Sequence, residues 1–138
     1  MPTVNVKLVE GTMGVASTGQ HAIVVDRSLA KGGTYLGMVG GEILLSAIGA
    51  CLMTTFVGAA RARDIEVTRL EFNVSSVHED GPSRYTSIEI DAVVEADASD
   101  EEIDKLLAIA ERGCTVSNTV SRGAEIGVTR QVAGTVPA

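Results

Sequence analysis

From Val4 to Val9 the chain alternates, with Val4, Val6 and Leu8 apolar and Asn5 and Lys7 polar. A period of two places the apolar set on one face of a half-buried strand. TMGVAST (12–18) and HAIVVD (21–26) follow, parted around Thr18 and Gly19, so the first 26 residues read as a small antiparallel meander. Arg27 to Gly41 contains five glycines and no steady period, which predicts a loop. The pattern then changes abruptly: Ile43 to Ala60 carries no charge for 18 residues. Two further alternations come after Asp64. Leu70, Phe72 and Val74 interleave with Glu71, Asn73 and Ser75, and Ile88, Ile90, Ala92 and Val94 with Glu89, Asp91, Val93 and Glu95. HEDGPSRY (78–85) between them is turn chemistry, so the pair predicts a hairpin with one wet and one buried face. Ser99 and Glu102 form a capping box before the stripe Ile103, Leu106, Leu107 and Ala110, and Gly113 suits the position after the helix. Cys114 follows, then TVSNTVSRG (115–123) as a short turn or helix and AEIGVTRQV (124–132) as a closing strand. The order predicts one α+β domain over residues 1–138, with antiparallel sheets around a long buried central helix.

The uncharged segment sits at the lower length limit for a membrane span. Ser46, Gly49, Thr54, Thr55 and Gly58 dilute its hydrophobicity, and the amphipathic strands on either side need an apolar partner. These features favour a soluble core helix and no membrane. A domain of this size has little room to surround a helix on all sides. The small residues Ser46, Ala47, Gly49, Ala50, Gly58 and Ala59 would allow another helix close approach, so we expect a homodimer with this helix against its symmetry mate or the mate's sheet.

Composition narrows the function. The chain is 45% hydrophobic and 21% charged, ordinary for a globular protein. Aromatics make up 3%, Trp is absent and the net charge is -7, which argues against a nucleic-acid partner. The first residues lack a basic run followed by an apolar one, so no signal peptide is expected and the setting reads as cytoplasmic. Cysteines there stay reduced unless used transiently. His21 and His78 are not at ligand spacing with the cysteines, so no metal is expected, and Asp100 to Asp104 read as a solvated first helical turn.

The chemistry rests on two cysteines, Cys51 in the uncharged segment and Cys114 at a helix junction. The residues themselves leave Cys51 open between inert core filler and reactive thiol. As N-cap of the following turn, Cys114 would be favoured as thiolate; as part of the preceding helix end it would be disfavoured.

GGEILLSAIGACLMTT (40–55) resembles the central-helix motif of the OsmC/Ohr family, P-x-E-L-L-L-A-A-L-A-x-C-L. AERGCTVSNTVSRGAEI (110–126) resembles that family's second motif, C-P-V-S-x-T-L followed by a strand, and the 63 positions between the cysteines are also the family's spacing. The likeness covers essentially the whole chain. It implies an intertwined homodimer with sites at the subunit interface, reducing organic hydroperoxides with no cofactor. Cys51 would attack the peroxide and Cys114 would resolve the product as a disulfide, which a small or lipoyl-type dithiol reduces. The resemblance further implies an activating Arg from the N-terminal hairpin, held by a Glu ten residues before the first cysteine. Position 41 is glycine here; Glu42 stands nine before Cys51, about 180° around an ideal helix. The hairpin has no Arg, leaving Arg27 just after it as the candidate and Arg122 as a second. The prolines beside the two motifs are replaced by Gly40 or Gly41 and by Thr115. These departures keep a second class in play: a non-catalytic or redox-sensing dimer that binds a small apolar ligand at its interface.

Overall fold

The computed structural model describes residues 2–132. Three strands come first: β1 (Asn5–Glu10), β2 (Met13–Ser17) and β3 (Ala22–Val25). They form an antiparallel sheet in that order, with Val6 opposite Ala16 and Val15 opposite Val24. A loop with one 3-10 turn at Leu29–Lys31 leads to the helix α1 (Gly40–Arg61). The long strands β4 (Val67–Glu79) and β5 (Arg84–Ala96) then make a two-stranded antiparallel sheet, followed by α2 (Asp100–Gly113) and α3 (Thr115–Arg122). The α+β class and its antiparallel hairpins are as the patterning predicts.

Helix α1 turns one stripe inward: Ile48, Leu52, Phe56 and Ala60, spaced by four, are buried. Leu106 and Ala110 of α2 and Cys114 complete that core. Leu70, Phe72, Ile88 and Val94 on the inner face of the β4–β5 sheet pack against it. Helix α2 starts as its capping box dictates: Ser99 Oγ accepts from Glu102 N at 3.1 Å, and Ser99 N donates to Glu102 Oε1 at 3.2 Å.

The helix is not enclosed on all sides within one chain. Ser46, Ala50, Met53, Thr54 and Gly58 form an exposed stripe opposite the core. By length and composition α1 could cross a membrane, but its inward face forms the core of this chain. The β1–β3 sheet does not pack substantially on α1, α2, α3 or the second hairpin. Val4, Val6, Leu8 and Val9 are consequently all more than half exposed. The expected strand over 124–132 does not form: residues 123–132 carry no regular secondary structure, with Ile126 at 90% and Val128 at 92% exposure. The alternation is present in the sequence, but a strand requires a neighbouring edge, and this chain does not bring one to that segment.

The loop before α1 is organised by Asp26, the buried charged residue of this region. Its Oδ1 accepts from Thr12 Oγ1 and from Arg27 N at 2.6 Å; its Oδ2 accepts from Thr34 Oγ1 and from Leu36 N at 3.0 Å. The Thr12 and Thr34 hydroxyls hold this carboxyl well below the usual carboxylate range, outweighing desolvation, and the two backbone N–H groups add to the effect. A carboxylate depressed on folding stabilises the fold above its unfolded value near 3.9, and that contribution fades as pH falls toward the folded value. Asp26→Asn presents an amide to the Leu36 N–H, so it is expected to lower the melting temperature at neutral pH. The gap to wild type should close on acidification below about pH 4. Thermal melts of both proteins from neutral to acidic pH check this; parallel curves would exclude the assignment.

Candidate functional site

The two cysteines meet where α1 crosses the α2–α3 junction. On α1, Cys51 lies between the buried Ile48 and Leu52 and packs against the core from a half-buried position. One turn on, Thr55 Oγ1 donates to the Cys51 carbonyl at 2.8 Å, fixing the Thr55 side chain against the helix. The end of α2 comes down on this spot. A Cβ at Gly113 would lie 3.1 Å from Thr55 Cγ2, so glycine permits the approach. This corrects the reading of Gly113 as the residue after the helix: it is the last residue of α2, and Cys114 ends the helix in extended backbone.

Cys114 closes α2 and opens α3 at once, with φ -78 and ψ 106. Its Sγ accepts from Ser117 N at 3.3 Å, taking the N-cap role toward α3 that the sequence left open. The side chain is fully enclosed, at 0% exposure. Burial pushes the Cys114 thiol up. The Ser117 side chain and backbone N–H, the Cys51 thiol and the Val116 N–H together pull it further down, leaving it below the ordinary thiol value. Cys51 packs against the core cluster that includes Cys114, and both are free thiols.

Within the chain, Glu42 and Arg27 both stand at the start of α1. Glu42 serves the start of α1: its Oε1 accepts from Val39 N at 2.9 Å and its Oε2 from Tyr35 Oη at 2.7 Å. The Val39 N–H and the Tyr35 hydroxyl hold its carboxyl below the ordinary value, while the carboxylate raises the Tyr35 hydroxyl. Nine residues of helix put it about 13 Å along the axis from Cys51. Gly41 has its own reason. A Cβ there would collide with Tyr85 Oη, so the Tyr85 phenol occupies the space that a longer side chain at 41 would need. Arg27 lines a different cavity, of about 420 Å³, with Lys31, His78, Arg84 and Tyr85 around the start of α1. Arg122 is exposed in the last turn of α3. Among the described residues no group of three or more His, Cys, Asp or Glu side chains is placed to hold a metal.

A larger cavity, about 980 Å³, runs between the β4–β5 sheet and the α2–α3 corner. Leu52, Phe72, Ile88 and Leu107 give it apolar walls, and Ser117, the residue that caps onto Cys114, contributes to its polar end. Nothing local in the sequence marks Ser117, Tyr35 or Tyr85 as part of the site. Each acts through a partner that only folding supplies.

A profile of OsmC-like proteins matches residues 32–129, which include both cysteines. The chain belongs to the OsmC-like family. Solved structures agree on the fold. An OsmC-like protein from Mycoplasma pneumoniae superposes with a TM-score of 0.78 at 24% identity, covering 88% of this chain and 87% of that one. A protein from Aquifex aeolicus gives 0.76 at 18%, covering 88% of each chain. The organic hydroperoxide resistance protein OhrB of Bacillus subtilis gives 0.59 at 21%, covering 88% and 91%. At these identities the likeness is one of fold. A search of curated proteins returned no match.

Proposed function

We propose that this OsmC-like protein is a thiol-dependent peroxidase that reduces organic hydroperoxides to alcohols. The observation that carries this reading is that the two free thiols share one core cluster, Cys51 half-buried and Cys114 enclosed. In it, Cys51 attacks the outer peroxide oxygen and becomes a sulfenic acid; the O–O bond breaks and the alkoxide leaves as alcohol. The Cys114 sulfur then displaces hydroxide from the Cys51 sulfur, forming the disulfide, and a small or lipoyl-type dithiol reduces it by exchange. The apolar side chains near Cys51, Leu52 and Phe56 among them, suit alkyl or aryl hydroperoxides better than hydrogen peroxide. The pair operates as free thiols in a reducing, cytoplasmic setting. The test is consumption of cumene hydroperoxide with dihydrolipoamide, together with peptide mapping after brief oxidation. A Cys51–Cys114 disulfide is the expected product; unchanged thiols would sink the reading.

The working form is a homodimer. The uncovered β1–β3 sheet, the exposed stripe of small residues on α1 and the bare Ile126 and Val128 are apolar surface that a second copy would bury. Sedimentation equilibrium should give twice the chain mass, and a monomer at micromolar concentration would refute it.

One observation favours the second class. Glu42 is engaged by Val39 and Tyr35 at the start of α1, Arg27 lines the cavity there, and the separate 980 Å³ cavity has apolar walls suited to a small ligand. A redox-sensing or binding dimer would form no disulfide under the brief hydroperoxide treatment above.

A further inference from the structure

The corner that presents Cys114 is tied together from both sides. Helix α2, like any helix, ends on carbonyls that have no partner within it. One of them, the Arg112 carbonyl, accepts from Asn118 Nδ2 at 3.1 Å, reached across the corner from α3. The Asn118 N–H donates to the Cys114 carbonyl at 3.0 Å, and Ser117 N donates to Cys114 Sγ at 3.3 Å. Val116 packs against the core cluster beside them. Helix α3 has only eight residues and buries none of them, so by itself it would hold its direction poorly. Asn118 stands where the second cysteine motif leaves the residue unspecified, so this tie belongs to the chain's own sequence.

We propose that Asn118 is a positioning residue for Cys114, fastening α3 onto the end of α2 so that the Ser117 N–H stays on the sulfur as it attacks. This deepens the peroxidase reading and rests on it. In that step the Cys114 thiol gives up its proton and its sulfur attacks the Cys51 sulfenic sulfur. The S–S bond forms, the S–O bond breaks, and the departing hydroxide takes up the proton as water. The Cys114 sulfur is oxidised and the sulfenic sulfur reduced. Cys114 is enclosed at 0% exposure, so protein donors rather than bulk water must meet the charge that its sulfur carries into the attack. An N–H in the first turn of a helix suits that task, because the neighbouring peptide dipoles point the same way.

The titratable groups around the corner are Cys51 on α1, Glu111 and Arg112 at the exposed end of α2, Arg122 on α3, and Asp91 of β5, which lines the adjoining cavity. Substitutions at 117 and 118 leave all of them in place. They therefore isolate the tie and the N–H from the surrounding charge.

Two measurements on Asn118→Ala, Ser117→Ala and Ser117→Pro test the clamp. The first is ultraviolet thiolate absorbance against pH in a Cys51→Ser background, with the protein lacking both cysteines as blank. Ser117→Ala keeps the main-chain N–H and should titrate with its parent. Ser117→Pro deletes that N–H and should ionise about one pH unit higher, the worth of one hydrogen bond to a charged group. Asn118→Ala should move the same way by a smaller step. Alanine raises helix propensity, so that shift reads the lost tie and not a melted α3. The second measurement is disulfide formation in a single turnover with excess cumene hydroperoxide, with Cys51 retained, quenched in acid and read by mass. For each unit of the rise it should slow about threefold at neutral pH, since lost thiolate outweighs the gain in nucleophilicity. The rate should rejoin wild type at alkaline pH, whereas a purely structural defect would slow it equally at every pH. An Asn118→Ala protein with an unmoved titration overturns the proposal, as does a slowing that ignores pH. A wild-type protein that forms no disulfide defeats the peroxidase reading instead, and the titration still decides whether Asn118 holds the sulfur.

Discussion

Cys51→Ser is expected to reduce hydroperoxide consumption to the uncatalysed background while the protein stays folded. A serine hydroxyl does not ionise in the accessible pH range and is a far weaker nucleophile toward a peroxide than a thiolate. The Ser117 N–H bond to the Cys114 sulfur does not involve position 51, so it survives the change. The remaining thiol, Cys114, is enclosed at 0% exposure and cannot stand in for the first attack. The fold therefore serves as the control: an unchanged melting temperature with lost turnover places the chemistry on the Cys51 sulfur. Peroxide consumption at the wild-type rate by Cys51→Ser would show that the pair is not the reacting group.

Phe56→Ala is expected to cost about 3–5 kcal/mol of stability, a large share of what a domain of this size holds. Phe56 is at 0% exposure and stands on the inward stripe of α1 among Leu52, Ala60, Leu106 and Ala110. Its neighbours belong to two helices and are themselves packed, so the vacated volume cannot be refilled by a simple side-chain shift. Phe56→Leu keeps most of the volume and should cost less than about 1.5 kcal/mol. Denaturant midpoints for both variants check the ordering. Cys114 sits in the same cluster, so the cavity should also admit water to the enclosed sulfur. A Phe56→Ala midpoint within about 0.5 kcal/mol of wild type, the range of an ordinary surface substitution, would mean that α1 does not depend on this core.

Much of this molecule was legible in residue order. Period-two alternation located β1, β4 and β5, because a half-buried strand must alternate whatever it pairs with. The Ser99–Glu102 box located the start of α2, because a cap is satisfied within four residues. The two cysteine motifs carried the family. What failed was the strand over 124–132, where alternation is real but a strand also needs an edge beside it. The start of the central helix was also misread. Gly40 and Gly41 look like loop by composition, yet they form the first turn of α1, with Glu42 tied back to Val39 N.

The sequence by itself determined the family, the element types and the identity of the two sulfurs, all of which depend on local spacing. The tertiary structure alone decided how those sulfurs stand. Gly113 lets α2 descend on Thr55, and that crossing brings Cys114 to Cys51 over 63 positions of chain. Turning α3 away at Cys114 aims the Ser117 N–H at one sulfur rather than the other. Tyr85, from the far hairpin, fills the space beside Gly41, and Tyr35 engages Glu42. A thiol's proton is set by whatever donors and dipoles lie within a few ångströms, and those come from chain segments that spacing cannot see.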